Sequence, residues 1–512
     1  MSRRDATRTL STGRGLVVVA ALAGLVAAVW LLRASPSPAA SHGLASASVA
    51  GAAASASTLP EAVTLSDLPL APSTEAALAD RDAALRALRQ LRIDSRALAY
   101  LRQRYVDPQR IDPPAMLQAG LQAVAHRVPE MLVRVVDGPQ GRSLQVQMGD
   151  EQIEEPLTDL ADLFQLNWRL LAAMRFVADH LPLDVPADEV EYVAMNGMLG
   201  TLDPYSHMLD PDAYRDMRTH TGGRFGGLGI RILTVDGVLT VVSVIEDSPA
   251  WKAGLQANDE ILQIDGEDTL NMAIDDAVDR LRGVVGSAAR LTIRRKGWPE
   301  AREIVVVRAV IHLKSVEWRV LDNGVGYARI KNFQRGTGQE LAVALEALRT
   351  SGGSHGLVLD LRSNPGGLLD EAVQVADLLM DGGPIVITLT GANQRRDERS
   401  AQAEGTWRDL PVAVLIDGRS ASASEIVAGA LKHSNRAVVI GQRSYGKGSV
   451  QVPYEIGDGA LKLTVAKYLV SGDVDLQDVG ITPDVEIRYL SAEKGRMDLY
   501  PHVHRGGGDD AL

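Results

Sequence analysis

From Val310 onward, short apolar runs alternate with amphipathic stretches, and this alternation constrains the fold more than any other feature of the chain. Gly326 to Ile330 reads as a strand and Gln339 to Leu348 as a helix. Leu357 to Leu361 is a strand, followed by a helix from Leu368 to Met380. Ile385 to Leu389 and Val412 to Ile416 are strands, and Ser424 to Lys432 is the next helix, closed by Val438 to Ile440. Strands interleaved with helices in this way specify an α/β layer structure. Ser449 to Ile456 and Leu461 to Tyr468 add a hairpin around Gly457-Asp458-Gly459.

The pattern differs upstream. Between Gly222 and Ala309 short strands are separated by glycine turns, with a single helix from Ile274 to Leu281. Residues 74–221 carry apolar residues mainly at helical spacing, first over Leu78 to Leu101, then over Leu160 to His180 and Asp188 to Leu199. Residues 131–157 are read as a short hairpin. The expected architecture is multidomain, α/β plus β-rich: a helical region over 74–221, a β-rich module over 222–309, an α/β core over 310–490 and a tail over 491–512.

The first 73 residues are of another kind. Arg3, Arg4, Arg8 and Arg14 precede an apolar run from Leu16 to Leu32. A basic flank before an apolar stretch is an export signature. Its 17 residues make roughly 25 Å of helix, at the short end of a membrane span. Residues 1–33 are therefore expected to be a signal anchor in preference to a cleaved signal, for which Ala-Ser-Ala stretches such as Ala45 to Ala47 offer a site, with 16–32 in the inner membrane of a bacterium and the remainder on the periplasmic side of its envelope. The Ala/Ser/Pro-rich stretch 34–73 cannot bury enough surface to fold and reads as a tether.

Composition removes several function classes. There is no cysteine, which excludes cysteine proteases, thiol redox enzymes, zinc ribbons and iron–sulfur proteins. A net charge of −12 argues against general nucleic-acid binding, since neutralising phosphates requires a basic surface. Of 53 basic residues nine are lysine, and none lies in the first 251 residues. His502-x-His504 is too little for a metal site, and no metal or other cofactor is expected.

Four segments could carry chemistry, and each also has a plain structural reading. In Asp417 to Glu425 the serines Ser420, Ser422 and Ser424 stand where a strand runs into a helix. Backbone N–H groups and the helix dipole there would favour a developing negative charge. Ser422 with Glu425 is equally a capping box, and on this segment alone capping is the simpler reading. In Tyr445 to Gln451, Lys447 sits between two glycines ahead of an apolar strand. A desolvated lysine loses its proton more readily and can act as a general base. Gln451, of the same parity on an extended strand, could orient it, although a surface turn lysine is the commoner case. The turn Asp360 to Gly367 could form a backbone nest for an oxyanion, or be an ordinary strand-to-helix turn. Gly227-Leu228-Gly229-Ile230 could present amides to a chain-terminal carboxylate, or be a glycine-rich turn.

Together these segments resemble the carboxyl-terminal processing, or tail-specific, proteases, which are serine peptidases of the S41 type. The resemblance runs over residues 185–487. It rests on Gly197-Met198-Leu199 with Leu202 to Ser206, Ser248-Pro249-Ala250, Asp360 to Gly367, Ser420 to Glu425, Tyr445 to Gln451, and Gly480 to Asp484, all in family order. It implies that 222–309 is an inserted PDZ domain and that 310–490 is a crotonase-like protease core. It also implies a Ser422 nucleophile, a Lys447 general base 25 residues later, and Gln451 positioning the lysine. The oxyanion hole would be built from backbone N–H groups of Ala423 and the Gly366-Gly367 turn. Gly227, Leu228, Gly229 and Ile230 would hold the C-terminus of a protein or peptide substrate ending in an apolar residue. The helical region leaves room for an adaptor or activator protein and for a homo-oligomer. The alternative is an exported PDZ scaffold with a silent protease-like core, against which the presence of serine, lysine and glutamine together speaks.

Overall fold

The computed structural model describes residues 74–139, 141–391, 394–470 and 473–487, with the backbone of 490–493 and 496–499. The anchor expected over 1–33, the tether over 34–73 and most of the tail lie outside the described residues. Among the described residues no helix is long and apolar enough to cross a membrane.

The apolar stretch Leu78 to Leu101 forms two helices, Thr74–Leu88 and Arg92–Arg104. Leu91 adopts a left-handed backbone between them, with φ 46°, which turns the chain so that Leu88 and Leu91 are both buried. Helix Pro113–Arg127 starts at Asp112, whose carboxylate accepts the Ala115 N–H, with proline in its first turn. The segment read as a short hairpin is a three-stranded antiparallel meander, Met131–Gly138, Gly141–Met148 and Glu151–Pro156. Helices Leu163–His180 and Ala187–Leu199 complete this region.

This region does not form a core of its own. Its buried residues, from Leu88 to Met208, make one apolar cluster with Ile456, Leu461 and Leu463 of the C-terminal hairpin. Tyr100 stacks on Tyr454 at 4.5 Å between ring centroids. The short strand His207–Leu209 pairs with Ala460 to Lys462. The helical region therefore shares its core with the C-terminal hairpin, whereas the β-rich module that stands between them in sequence has a core of its own.

The β-rich module is a sheet ordered Arg302–Val307, Ala288–Arg294, Glu260–Ile264, Val238–Val244, Ile230–Val235. Helix Ile274–Leu281 buries Ala277 and Leu281 in its core. The module joins the rest through a two-stranded ribbon, Arg224–Gly227 against Ala309–His312.

The remaining chain builds two sheets. The first is ordered Val316–Val320, Gly326–Ile330, Leu357–Asp360, Val412–Ile416, Ala437–Gly441, Val485–Glu486, parallel throughout except for its first pair. Every residue of Leu357–Asp360 and Val412–Ile416 is buried, as expected of central strands covered on both faces. The second sheet, antiparallel, contains Arg395–Ser400, Pro384–Thr390, Gly459–Val470 and Ser449–Ile456. Helices Leu369–Asp377 and Ala423–His433 pack on each other and on Pro384–Thr390, sharing one apolar core with both sheets. The loops leaving the C-terminal ends of Leu357–Asp360 and Val412–Ile416 are therefore neighbours, where open parallel sheets place their ligand sites.

One buried polar feature sets a stability test. Glu191 accepts the N–H groups of Ile93 and Asp94 at 2.9 and 3.1 Å, capping helix Arg92–Arg104. Asp94 is fully buried, and both its carboxyl oxygens lack a partner among the described residues. Burial, and then the charge of Glu191, hold the Asp94 carboxyl well above the ordinary carboxylate range. An acid whose pKa is raised by folding stabilises the fold below its unfolded pKa, and that contribution is lost as pH rises toward the folded pKa. Asp94→Asn is expected to reduce the stability lost between pH 5 and 8 by on the order of 1–3 kcal/mol, read from thermal melts at both pH values. An unchanged loss would contradict the assignment.

Candidate functional site

The site forms where three loops meet, at the C-terminal ends of the two buried parallel strands and at the start of the hairpin. Asp417 ties the first two loops together. Its carboxylate accepts the Ser363 N–H at 2.9 Å and hydroxyl at 3.1 Å, and the Arg419 N–H at 3.0 Å. Asn364 is fully buried. Its carbonyl accepts the Ala421 N–H and the Ser424 hydroxyl, both at 3.0 Å, while its side chain spans from the Ile330 carbonyl to the Gly366 N–H.

The three serines divide by their partners. Ser420 and Ser424 are fully buried, and their hydroxyls donate to the carbonyls of Leu361 at 2.8 Å and Asn364 at 3.0 Å. Ser422 is half-exposed, and its hydroxyl meets the phenol of Tyr468. Ser422 has φ 56° and ψ −115° just before helix Ala423–His433. Such a backbone costs a non-glycine residue about 1–3 kcal/mol and recurs at active sites.

Glu425, one turn into that helix, is fully buried and accepts four hydrogen bonds. Its Oε2 takes the backbone N–H of Ser422 at 2.7 Å and that of Lys447 at 2.9 Å. Its Oε1 takes the Ser444 hydroxyl at 2.6 Å and the Gly446 N–H at 2.7 Å. One carboxylate oxygen thus holds the backbones of both the serine and the lysine. Burial raises the Glu425 pKa, and the four donors work against that rise. Gly446 has φ 91°, and a Cβ there would lie 3.1 Å from the Asp478 to Gly480 backbone, so the lysine loop is pinned between Glu425 and that segment.

Lys447 is half-buried, its Nζ 5.1 Å from the centroid of the Tyr205 ring. Burial pulls its pKa down to about 8, aided by Lys462 and opposed by Glu425 and Asp203. Its carbonyl accepts the Tyr468 hydroxyl. Among the described residues no hydrogen bond joins Lys447 Nζ to Ser422 Oγ, a contact that in ligand-free sites is often long. Lys447 lies outside strand Ser449–Ile456, so the parity expected of an extended strand does not run through to it; the bulge opposite Val450 and Gln451 places its extra residue, Val465, on the partner strand. The Gln451 amide donates to Ser449 Oγ at 3.0 Å and Thr464 Oγ1 at 3.3 Å. Thr464 in turn donates to Asp203 at 3.0 Å.

The glycine turn lies against the serine. A Cβ on Gly366, at φ 99°, would come within 2.8 Å of Ser422 Cβ and 2.9 Å of the Ala423 nitrogen. The Gly366 N–H is taken by Asn364. Among the described residues no acceptor takes the N–H of Gly367 or of Ala423. In the β-rich module the Gly227 to Ile230 loop leads into Ile230–Val235, the edge strand of its sheet. The N–H groups of Leu228 and Gly229 likewise have no acceptor among the described residues.

The capping pair Ser422/Glu425 was legible in the sequence, but the reach of Glu425 to the lysine loop was not. Nor were Ser444, Tyr468 and Asp203, which come from distant segments. Asn364 stood inside the recognised turn without a role.

Comparison with known proteins accords with this arrangement. Residues 324–487 match the family model of peptidase family S41, and residues 240–295 match that of the PDZ domain. The carboxy-terminal-processing protease of Bartonella bacilliformis is 43% identical over 60% of this chain and 74% of its own. The carboxyl-terminal-processing protease of a Picosynechococcus species is 39% identical over 57% of this chain and 72% of its own. The carboxy-terminal processing protease CtpA of Bacillus subtilis is 33% identical over 59% and 66%. The chain belongs to the carboxy-terminal processing proteases, serine peptidases of family S41 that carry a PDZ domain.

Proposed function

We propose that this peptidase is an endopeptidase exported to the bacterial cell envelope that works through a Ser422/Lys447 dyad on proteins captured by their C-terminal tails. The observation that carries this reading is the double hold of Glu425 Oε2 on the backbones of Ser422 and Lys447, together with a lysine drawn down to about 8. A neutral Lys447 amine takes the Ser422 proton as the serine oxygen attacks the peptide carbonyl, and later returns it to the leaving amine. The Gly367 and Ala423 N–H groups hold the oxyanion, each donor worth roughly 3–4 kcal/mol by comparison with other serine enzymes. An acyl-enzyme on Ser422 then yields to water. Gln451 acts on the lysine indirectly, through the Ser449, Thr464 and Asp203 network. Gly366 shapes the turn and leaves the hydrogen bonding to its neighbour.

The substrate terminus docks at the other end. A free carboxylate accepts from Leu228 and Gly229, the tail adds to the edge strand Ile230–Val235, and its apolar last residue faces helix Ile274–Leu281. Export rests on the basic and apolar start of the chain. An adaptor, an activator and self-association remain proposals attached to the helical region, and residues 16–32 are proposed to anchor the chain.

With a protein substrate ending in an apolar tail, Ser422→Ala and Lys447→Ala are each expected to lower kcat/KM by at least about 1000-fold. Cleavage by both variants at the wild-type rate would remove the dyad. Because the base must be neutral, kcat/KM should rise with pH to a plateau with a midpoint of about 8. Lys462→Met removes a charge that lowers the Lys447 pKa and should move that midpoint up. Glu425→Gln removes one that raises it, so the midpoint should move down while kcat falls by roughly 10–100-fold from lost positioning. A pH profile unmoved by either substitution would contradict the electrostatic assignment.

A further inference from the structure

Between the glycine turn and the ribbon that carries the β-rich module lies an open cleft of about 750 Å³. One wall is helix Pro211–Gly222, held to the hairpin end by a 2.7 Å hydrogen bond from the Tyr214 hydroxyl to Glu455. The lining also includes Leu368 and Arg335, whose backbone N–H donates to the Thr221 carbonyl at the end of that helix at 2.9 Å. Leu368 and Arg335 belong to segments that meet at the oxyanion turn: Phe333 bridges to Gly367, and Leu368 donates to the Phe333 carbonyl at 2.7 Å. Arg224, also lining the cleft, lies three residues ahead of the loop Gly227 to Ile230. The cleft therefore occupies the space between the place where a substrate tail docks and the place where its chain is cut.

Its charge is out of keeping with the whole. The chain carries −12, yet the cleft is lined by Arg215, Arg218, Arg224 and Arg335 against only Glu455 and Asp458. Arg215 is committed to Asp212 at 2.8 Å. Arg218 leans over the Tyr214 ring at 5.7 Å. Among the described residues, Arg218, Arg224 and Arg335 form no ion pair, unlike Arg295, which is paired with Asp259 at 2.6 Å, and Arg362, paired with Asp360 at 2.7 Å. Three guanidiniums converging on a concave surface concentrate positive potential there, and each offers a planar fork suited to a carboxylate.

We propose that this cleft is a subsite for acidic side chains, and that it selects substrates with Asp or Glu in the segment between the captured C-terminus and the scissile bond. The proposal rests on the tail-binding reading above. Without such a subsite an acidic segment would be repelled by the net charge of the protein, so the unpaired arginines decide whether acidic substrates are accepted.

Binding separates this from catalysis. Two fluorescent peptides share one apolar tail; upstream of it one alternates Gly with Glu and the other Gly with Gln. Their affinities for the full chain carrying Ser422→Ala are read by fluorescence anisotropy. The acidic peptide is expected to bind about tenfold tighter at 50 mM salt, a difference of about 1.4 kcal/mol. The preference should shrink at 500 mM salt, where exposed charges are screened. Adding Arg218→Gln, Arg224→Gln and Arg335→Gln together should remove the preference while the Gly/Gln peptide binds as before and the melting temperature holds. Equal affinity for the two peptides, or a preference that survives the triple substitution, would overturn the subsite. Wild-type cleavage of the Gly/Gln peptide reports separately on the function proposed above.

Discussion

A single buried carboxylate organises the site. Glu425 sits at the base of a helix, out of contact with water, and its two oxygens accept from Ser422, Ser444, Gly446 and Lys447. Burying a charge is costly unless it is fully hydrogen-bonded, and four donors meet that demand here. The same donors fix the backbone of two residues 25 apart in sequence. The local price is a strained serine, and the surrounding loops hold it in place through Asn364 and Asp417.

The fold supplies those loops in register. Two central strands, Leu357–Asp360 and Val412–Ile416, run parallel and pair directly, so the turns that follow them lie side by side. One carries Gly366 and Gly367, the other the serine. The lysine arrives from the opposite direction, on the loop before the antiparallel hairpin. That hairpin is also part of the core of the N-terminal helices, and Asp203, from the far end of that region, reaches Thr464 behind the lysine. The helical region is thus structurally continuous with the site.

Much of this was legible from residue pattern. Fully apolar runs located the parallel strands, and the helix Ile274–Leu281 and the hairpin fell where periodicity and glycine turns placed them. Reading failed where geometry depends on tertiary contacts. A continuous helical pattern over Leu78 to Leu101 hid the left-handed turn at Leu91, because an apolar residue there satisfies either arrangement. Lys447 stands outside the strand that begins at Ser449, so the parity on which a direct Gln451 to Lys447 contact depended has no strand to run through. Gly366 and Gly367 look alike in sequence, yet Asn364 occupies the N–H of one and leaves the other open. Three of the four partners of Glu425, namely Ser444, Gly446 and Lys447, lie 19, 21 and 22 residues away, beyond any local pattern.

The central claim is that burial makes Lys447 an amine able to lose its proton near neutrality while Glu425 holds it beside Ser422. With nine lysines in the chain, the direct measurement is an NMR titration of protein labelled with 13C at lysine Cε. The resonance absent from Lys447→Arg protein should titrate at about 8, apart from exposed lysines near 10.4. A Lys447 resonance that titrates with the exposed lysines would contradict the account.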